Sequence, residues 1–371
     1  MTASLLIQGT FFFPGPTEVR AEVLAAMTRP LIAHRGKAFE ALFANIQTSL
    51  KPIFGTTRPV YVSSSSATGL MEAAVRCAPE GRVLSIVNGA FSARFAAIVK
   101  ACGRESDVLE VPYGEIATLD MVADALGKQR YAVVTVVHSE TSTGALQDVR
   151  GITRLARDAG AVCLVDSVTG IGGAELRFDE WELDLALTGS QKALALPPGL
   201  AFAAATPAFI ESARATARRG LYFDLVEFDA YGAKNQTPNT PAINLFYAAE
   251  LQLAAVVAEG MDARWARHRR MAEMTWAWVD GLRARHGDAF GILARGGSRT
   301  PTVTSITIPA SFTGSTLVRA VAERGFTIGN GYGKNRETTF RIGHMGDHSP
   351  DRLADCLGVC GEAIGALLNG H

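Results

Sequence analysis

Between residues 60 and 205 short β-branched runs alternate with helical periods, and this alternation limits the fold more than any other feature of the chain. Arg82-Val83-Leu84-Ser85-Ile86-Val87 reads as a strand ending at Asn88-Gly89, and Phe91 to Ala101 as a helix. Tyr131 to Val137 is nearly all apolar, as suits a strand covered on both faces. Val149 to Ala159 has helical spacing, with Ile152, Leu155 and Ala156 on one side. Ala161 to Val165 is another buried strand, and Leu185-Ala186-Leu187 a shorter one. Strands separated by helices need crossover connections, so the order predicts an α/β fold with a mainly parallel sheet flanked by helices.

Beyond this region two long helices are predicted, from Pro241 to Glu259 and from Asp262 to Arg285, separated by Gly260. The second carries Arg264, Arg267, Arg269 and Arg270 beside Trp265, Trp276 and Trp278. That pattern reads as a solvated basic face opposite a packed aromatic one. After residue 290 the order becomes strand (Thr302 to Ile308), helix (Gly314 to Arg324), strand (Phe326 to Ile328), strand (Thr339 to Ile342) and helix (Pro350 to Leu368). This fits a small α+β unit. At about 150 residues per domain, 371 residues suit two domains.

Lys+Arg and Asp+Glu each number 36, which argues against a general nucleic-acid binder. The five cysteines form no C-x-x-C. Cys356 and Cys360 have no histidine or cysteine cluster to complete a metal site, so no metal is expected and the thiols read as small buried groups. The start, Met1 to Ile7, lacks a basic region, and Gly9 and Pro14-Gly15-Pro16 follow it. The longest apolar stretch, Ala193 to Ile210, is broken by Pro197, Pro198, Gly199 and Pro207. A membrane span needs about 20 uninterrupted residues, so the expectation is a soluble, cytoplasmic protein.

Open parallel sheets bind ligands at the carboxyl ends of their strands. There the chain places Asp166-Ser167-Val168, Thr188-Gly189-Ser190-Gln191-Lys192, His138 to Gly144, the serine turn 63–66 opening a helix, and Asn88-Gly89-Ala90-Phe91. Lys192 is one of only seven lysines against 29 arginines and precedes an apolar run. Desolvation there lowers a lysine pKa and frees the amine for Schiff-base chemistry, although a snorkelling surface lysine would read the same way. Asp166 ends an apolar strand, either as a helix cap or as the partner of a ligand cation. The serine turn either caps its helix or offers hydroxyls and N–H groups to a phosphate. Gly329 to Lys334 and Gly170 to Gly173 fit no nucleotide loop. A lysine, a carboxylate, a phosphate cradle and an aromatic group together suit pyridoxal 5'-phosphate.

The chain resembles the class V aminotransferases of fold type I, near the alanine/serine–glyoxylate (pyruvate) group. The resemblance runs from Phe13-Pro14-Gly15-Pro16-Thr17 through His34-Arg35-Gly36, Ser66-Ala67-Thr68-Gly69, Asn88-Gly89-Ala90-Phe91 and His138-Ser139-Glu140-Thr141-Ser142-Thr143-Gly144. It is strongest at Val165-Asp166-Ser167-Val168 and Gly189-Ser190-Gln191-Lys192, whose Asp and Lys stand 26 residues apart, and closes at Phe340-Arg341-Ile342-Gly343. It implies a large cofactor-binding domain, 18–260, with a seven-stranded sheet. A small C-terminal α+β domain, 261–371, would open with a long linking helix, and residues 1–17 would lie near the active site.

By the same resemblance, Lys192 holds the cofactor covalently and moves the proton. Asp166 faces the pyridine nitrogen, and Phe91 and Val168 cover the ring faces. Thr141 bonds near the ring, and Ser66, Ala67, Thr68 and Gln191 bind the phosphate. Arg341 pairs with the substrate α-carboxylate, with Gly15 beside it. Asn239 or Thr240 would reach the phosphate of a partner subunit, because such sites lie at a homodimer interface. The implied reaction is ping-pong transfer from serine or alanine to glyoxylate or pyruvate. His34 and Arg35 leave open a phosphorylated or phosphonate substrate, such as phosphoserine or 2-aminoethylphosphonate. A cysteine desulfurase and a non-catalytic hydrogenase-associated subunit are the remaining alternatives.

Overall fold

The computed structural model describes residues 9–370. Met1 to Ile7, the start discussed above, lies outside the described residues. The strands are β1 (Phe11–Phe12), β2 (Tyr61–Ser63), β3 (Val83–Val87), β4 (Ser106–Glu110), β5 (Val133–Val137), β6 (Ser139–Glu140), β7 (Ala145–Leu146), β8 (Val162–Asp166), β9 (Leu185–Gly189), β10 (Ala201–Ala205), β11 (Gly291–Ile292), β12 (Val303–Thr307), β13 (Thr327–Asn330) and β14 (Thr339–Gly343). The helices are α1 (Ala21–Ala26), α2 (Lys37–Phe54), α3 (Ala67–Cys77), α4 (Ala90–Ala101), α5 (Leu119–Lys128), α6 (Val149–Asp158), α7 (Pro207–Arg214), α8 (Leu225–Gly232), α9 (Ile243–Glu259), α10 (Met261–His286), α11 (Gly314–Ala322) and α12 (Pro350–Leu368).

Seven strands form one sheet in the order β2-β10-β9-β8-β5-β3-β4. From β4 to β9 every pairing is parallel, and β10 runs antiparallel to both β9 and β2. The predicted parallel sheet is therefore present, with one reversed strand. β10 has the sequence Ala-Phe-Ala-Ala-Ala, which carries little β propensity. It forms because β9 returns through the Pro197-Pro198-Gly199 turn without a crossover helix, and such a return pairs antiparallel. Strands β3, β5, β9 and β10 are buried at every position, which explains their unbroken apolar runs.

A second sheet has the order β1-β13-β14-β12-β11. The predicted strand–helix–strand–strand–helix order is present as β12, α11, β13, β14 and α12, and α12 has the expected bounds. Two short strands are added to it. β1, from the start of the chain, pairs in parallel with β13, which ties the segment before the first helix to the C-terminal sheet. Phe12, Ile306, Phe340, Ile342, Met271 and Cys360 share the core beneath this sheet, separate from those that flank the seven strands.

On α10 only part of the predicted basic face is solvated. Arg269 and Arg270 are exposed, and Trp265, Trp276 and Trp278 are half-buried. Arg264, however, is 1% exposed. Glu259, from the end of α9, stands 2.6 Å from its guanidinium, and Asp347, from the segment after β14, stands 3.0 Å away. Two carboxylates from distant parts of the chain let this arginine be buried.

Candidate active site

The carboxyl ends of β2, β3, β5, β8 and β9 share one edge of the seven-stranded sheet. Asp166 is the last residue of β8 and is buried. Its Oδ1 accepts the Val168 N–H at 2.8 Å, and among the described residues no cation lies within ion-pair distance of it. Burial without such a partner pushes the Asp166 carboxyl up to about 7. Lys192 follows β9 and is also buried. Burial first, and then the charge of Arg341, pull its amine down to about 7. Its Nζ donates to the Pro14 carbonyl, and the Thr17 hydroxyl donates to the Lys192 carbonyl at 3.0 Å. Gly15 has φ +108°, and a Cβ there would run into the Lys192 side chain, so the glycine makes room for the lysine.

Arg341 comes from β14 and is 6% exposed. Its Nε donates to Asn330 O at 2.8 Å, and a terminal nitrogen donates to Thr141 O at 3.2 Å. No carboxylate pairs with it among the described residues, and its guanidinium lies 5.3 Å from the Tyr332 ring centroid. Burial lowers its pKa to about 10, which leaves it charged at neutral pH. The Thr141 hydroxyl is paired with that of Thr169. Phe91, in the first turn of α4, stacks on Tyr332 with centroids 5.1 Å apart and planes at 28°. Arg94 lies 5.2 Å from the Phe91 centroid and donates to the Tyr332 hydroxyl at 3.2 Å.

Two helix N-termini open on this edge, and they differ. The first turn of α4 is closed, because Glu140 and Ser142 accept its Ala90, Phe91 and Ser92 N–H groups. The first turn of α3 is open, because Ser66 makes no side-chain cap and Ser66 and Thr68 are exposed, while Ala67 packs inward. Gln191 lies beside it. A Cβ at Gly189 would stand 2.8 Å from Gln191 Oε1 and 3.4 Å from the Ala67 Cβ. Free N–H groups, hydroxyls and an amide thus meet where a phosphate could be held.

Four of the sequence-predicted residues stand apart from this cluster. Arg35 donates to Thr237 O at 2.6 Å and Pro238 O at 3.0 Å, and it lies 5.0 Å from the Tyr231 ring centroid. His34 Nε2 is 3.5 Å from the Thr240 hydroxyl. Asn239 accepts the Thr237 hydroxyl through its carbonyl. Among the described residues, none of the four is hydrogen-bonded to Asp166, Lys192 or Arg341.

The aminotransferase class-V family model matches residues 15–333. The chain belongs to the class V aminotransferases. Its relatives in this family include the L-aspartate–glyoxylate aminotransferase of Paracoccus denitrificans, 31% identical over 97% of this chain and 91% of that one. Another is the serine–glyoxylate aminotransferase of Arabidopsis thaliana, 32% identical over 93% of this chain and 88% of that one. Among solved structures, the alanine–glyoxylate aminotransferase of Nostoc sp. superposes with a TM-score of 0.90 at 29% identity, covering 96% of this chain and 95% of that one. The fold is that of the fold type I, pyridoxal-phosphate-dependent aminotransferases. No helix among the described residues is long and apolar enough to cross a membrane.

Pyridoxal phosphate suits the residues of this class V site. Among the described residues it has a buried acid and a buried amine that make no ion pair, and a helix start without a side-chain cap. Sequence reasoning did not single out Tyr332, Arg94 or Glu140. Tyr332 sits in the glycine-rich stretch that fits no nucleotide loop, and nothing local marks it as facing Phe91. Arg94 is one of 29 arginines. Glu140 was legible only as an acid in a hydroxyl-rich run, and its full burial is the property that distinguishes it.

Proposed function

We propose that this chain uses pyridoxal 5'-phosphate to move the amino group of a small L-amino acid, serine or alanine, to a 2-oxo acid, glyoxylate or pyruvate. One observation carries the reading: a buried amine, Lys192, and a buried guanidinium, Arg341, stand with a buried acid, Asp166, at one sheet edge, and among the described residues none of the three has an oppositely charged partner within ion-pair distance. A protein interior tolerates such charges poorly unless something supplies the missing partners. A protonated pyridine nitrogen would complete Asp166, and a substrate α-carboxylate would complete Arg341. All three relatives described above act on glyoxylate by name, with aspartate, serine or alanine as donor. That supports glyoxylate as acceptor.

When bound, the cofactor supplies an electron sink for the pair left at the substrate Cα. Asp166, held charged by the ring nitrogen, keeps that nitrogen protonated. Phe91 and Val168 would hold the ring faces, with Thr141 beside them. Ser66, Ala67, Thr68 and Gln191 hold the phosphate. Lys192 would hold the cofactor through its amine and, as a neutral amine, would take the Cα proton. Arg341 fixes the α-carboxylate so that the Cα–H bond faces Lys192, with Gly15 leaving that space open.

The reading extends to a homodimer. Leu221 is 86% exposed and its neighbour Tyr222 49%, and Tyr222 borders the cleft that residues 237–241 line. An apolar rim of this kind supports a second copy there, with Asn239 or Thr240 reaching the partner's phosphate. Arg35 then braces that loop, which ties two of its five N–H donors to the Thr237 and Pro238 carbonyl groups. The domain division 18–260 and 261–371, with residues 1–17 near the site, belongs to the same reading. It is supported by the separate core under the second sheet and by Pro14, Gly15 and Thr17 beside Lys192.

The test follows the visible absorbance of the protein purified with pyridoxal phosphate. L-serine or L-alanine should bleach the band of the lysine-linked cofactor, and glyoxylate or pyruvate should restore it. Bleaching by L-phosphoserine or 2-aminoethylphosphonate alone would replace the substrate assignment. A protein that never gains the band would refute cofactor use.

A further inference from the structure

Glu140 is fully buried, yet among the described residues no arginine, lysine or histidine pairs with it. It ends β6, one residue before Thr141. Five donors meet its carboxylate. Oε1 accepts from the Phe91 N–H at 3.2 Å, the Ser142 N–H at 3.1 Å and the Ser142 hydroxyl at 2.5 Å. Oε2 accepts from the Ser92 N–H at 2.9 Å and the Ser92 hydroxyl at 3.0 Å. The Ser142 hydroxyl also accepts the Ala90 N–H at 3.0 Å. The first turn of α4 is therefore gripped from one side by a carboxylate and the serine it orients. An anion there is also favoured by the helix dipole. Gly89 permits this close approach, because a Cβ at that position would collide with the Glu140 carboxyl group.

Phe91 is held within this grip. Its backbone is fixed by Glu140, and its ring by Tyr332 and Arg94. We propose that Glu140 is a positioning residue of the site: by fixing the Phe91 backbone it sets the attitude of the Phe91 ring toward the cofactor. This rests on the reading that the site holds pyridoxal phosphate. Glu140 acts through Phe91 and touches neither cofactor nor substrate.

The experiment compares wild type, Glu140→Gln, Phe91→Ala and the double variant, each as the cofactor-loaded full chain. Three quantities are read: circular dichroism in the visible cofactor band, the dissociation constant for pyridoxal phosphate, and the rate of amino-group transfer. Glutamine keeps the shape but sets an NH2 group against N–H donors. Glu140→Gln should weaken cofactor binding about tenfold, roughly the worth of one charge-assisted hydrogen bond, and reduce the dichroism. On the Phe91→Ala background the same change should cost less than about twofold, because the residue it acts through is gone. Unchanged dichroism and affinity in Glu140→Gln would overturn the proposal, and so would multiplicative losses in the double variant. In both cases wild type keeps its visible band and the cofactor reading stands. A wild type without that band would overturn both. Should Glu140→Gln fail to fold, Ser142→Ala, which removes only the auxiliary hydroxyl, reads the same quantities and should give a smaller loss of the same kind; wild-type values there would overturn the proposal.

Discussion

The molecule buries basic side chains in two places and treats them differently. Arg264, on α10, has a partner at each nitrogen of its guanidinium. It bonds Glu259 and Asp347, and it donates to Gly172 O at 2.9 Å and Ala193 O at 2.6 Å. Lys192 and Arg341 are nearly as buried, yet among the described residues they hydrogen-bond to carbonyl groups and to no carboxylate. The two clusters are neighbours, since Arg264 grips the carbonyl of the residue after Lys192. A filled cluster holds the chain around it in place. An unfilled one is held by the fold at a cost in stability, and it is the one able to take a ligand.

Lys192→Ala tests the unfilled side and should have the largest effect. Turnover should fall by more than about 10³-fold, since both the covalent link and the proton transfer depend on that amine. The cofactor-free variant should melt no lower than wild type, because an unpaired buried amine has been removed. Rates of cofactor-loaded protein and thermal melts of cofactor-free protein check both halves. Near-wild-type turnover would remove Lys192 from the chemistry.

Arg264→Met tests the filled side. Removing Arg264 takes the donor from two buried carbonyl groups and one of the two arginines from each carboxylate, leaving Glu259 with Arg267 at 2.6 Å and Asp347 with Arg20 at 3.1 Å. The variant should lose about 3 kcal/mol of unfolding free energy in urea. That is the lower end for buried pairs, because Glu259 and Asp347 are 27% and 21% exposed. A loss below about 1 kcal/mol would mean that the two clusters do not differ in kind.

What could be read from the chain follows the same division. The parallel sheet is legible because strands buried on both faces show as unbroken apolar runs, Asp166 because it ends such a run, and Lys192 because it is a rare lysine that precedes one. The α12 bounds were legible because Ser349 and Pro350 mark its start. β10 was not, because alanine-rich segments favour helix locally and only the preceding turn dictates otherwise. Arg264 was misassigned because helical periodicity records which face a residue lies on, not what faces it. Its partner Asp347 is 83 positions away. Tyr332 and Glu140 were missed for the same reason, since their importance lies in contacts made across the fold.

The smallest effect concerns pH, and it separates the members of the unfilled cluster. In the cofactor-free protein Asp166 titrates near 7 rather than at its usual value near 4. Between those values the folded state holds a proton that the unfolded chain has lost, so this group makes stability fall as pH rises from about 4 to 7. Lys192 titrates near 7 rather than near 10.5. Between those values the unfolded chain holds the extra proton, so this group makes stability rise from about 7 to 10.5. Together they place a dip near neutral pH. The buried His138, His268, His344 and His348, all held below the usual histidine value, oppose the acid limb, because their contribution is lost as pH falls below about 6.5. The comparison must therefore be made by difference. Asp166→Asn minus wild type, in urea unfolding of cofactor-free protein, should grow in favour of the variant from pH 4 to 7 and then level off. Lys192→Met minus wild type should be largest near pH 7 and shrink toward pH 10. Saturating pyridoxal phosphate should flatten the wild-type dip, because it gives Asp166 a cation and consumes the Lys192 amine. Difference curves flat across both windows would mean that these groups are not held unpaired, and the contrast with Arg264 would then lose its physical basis.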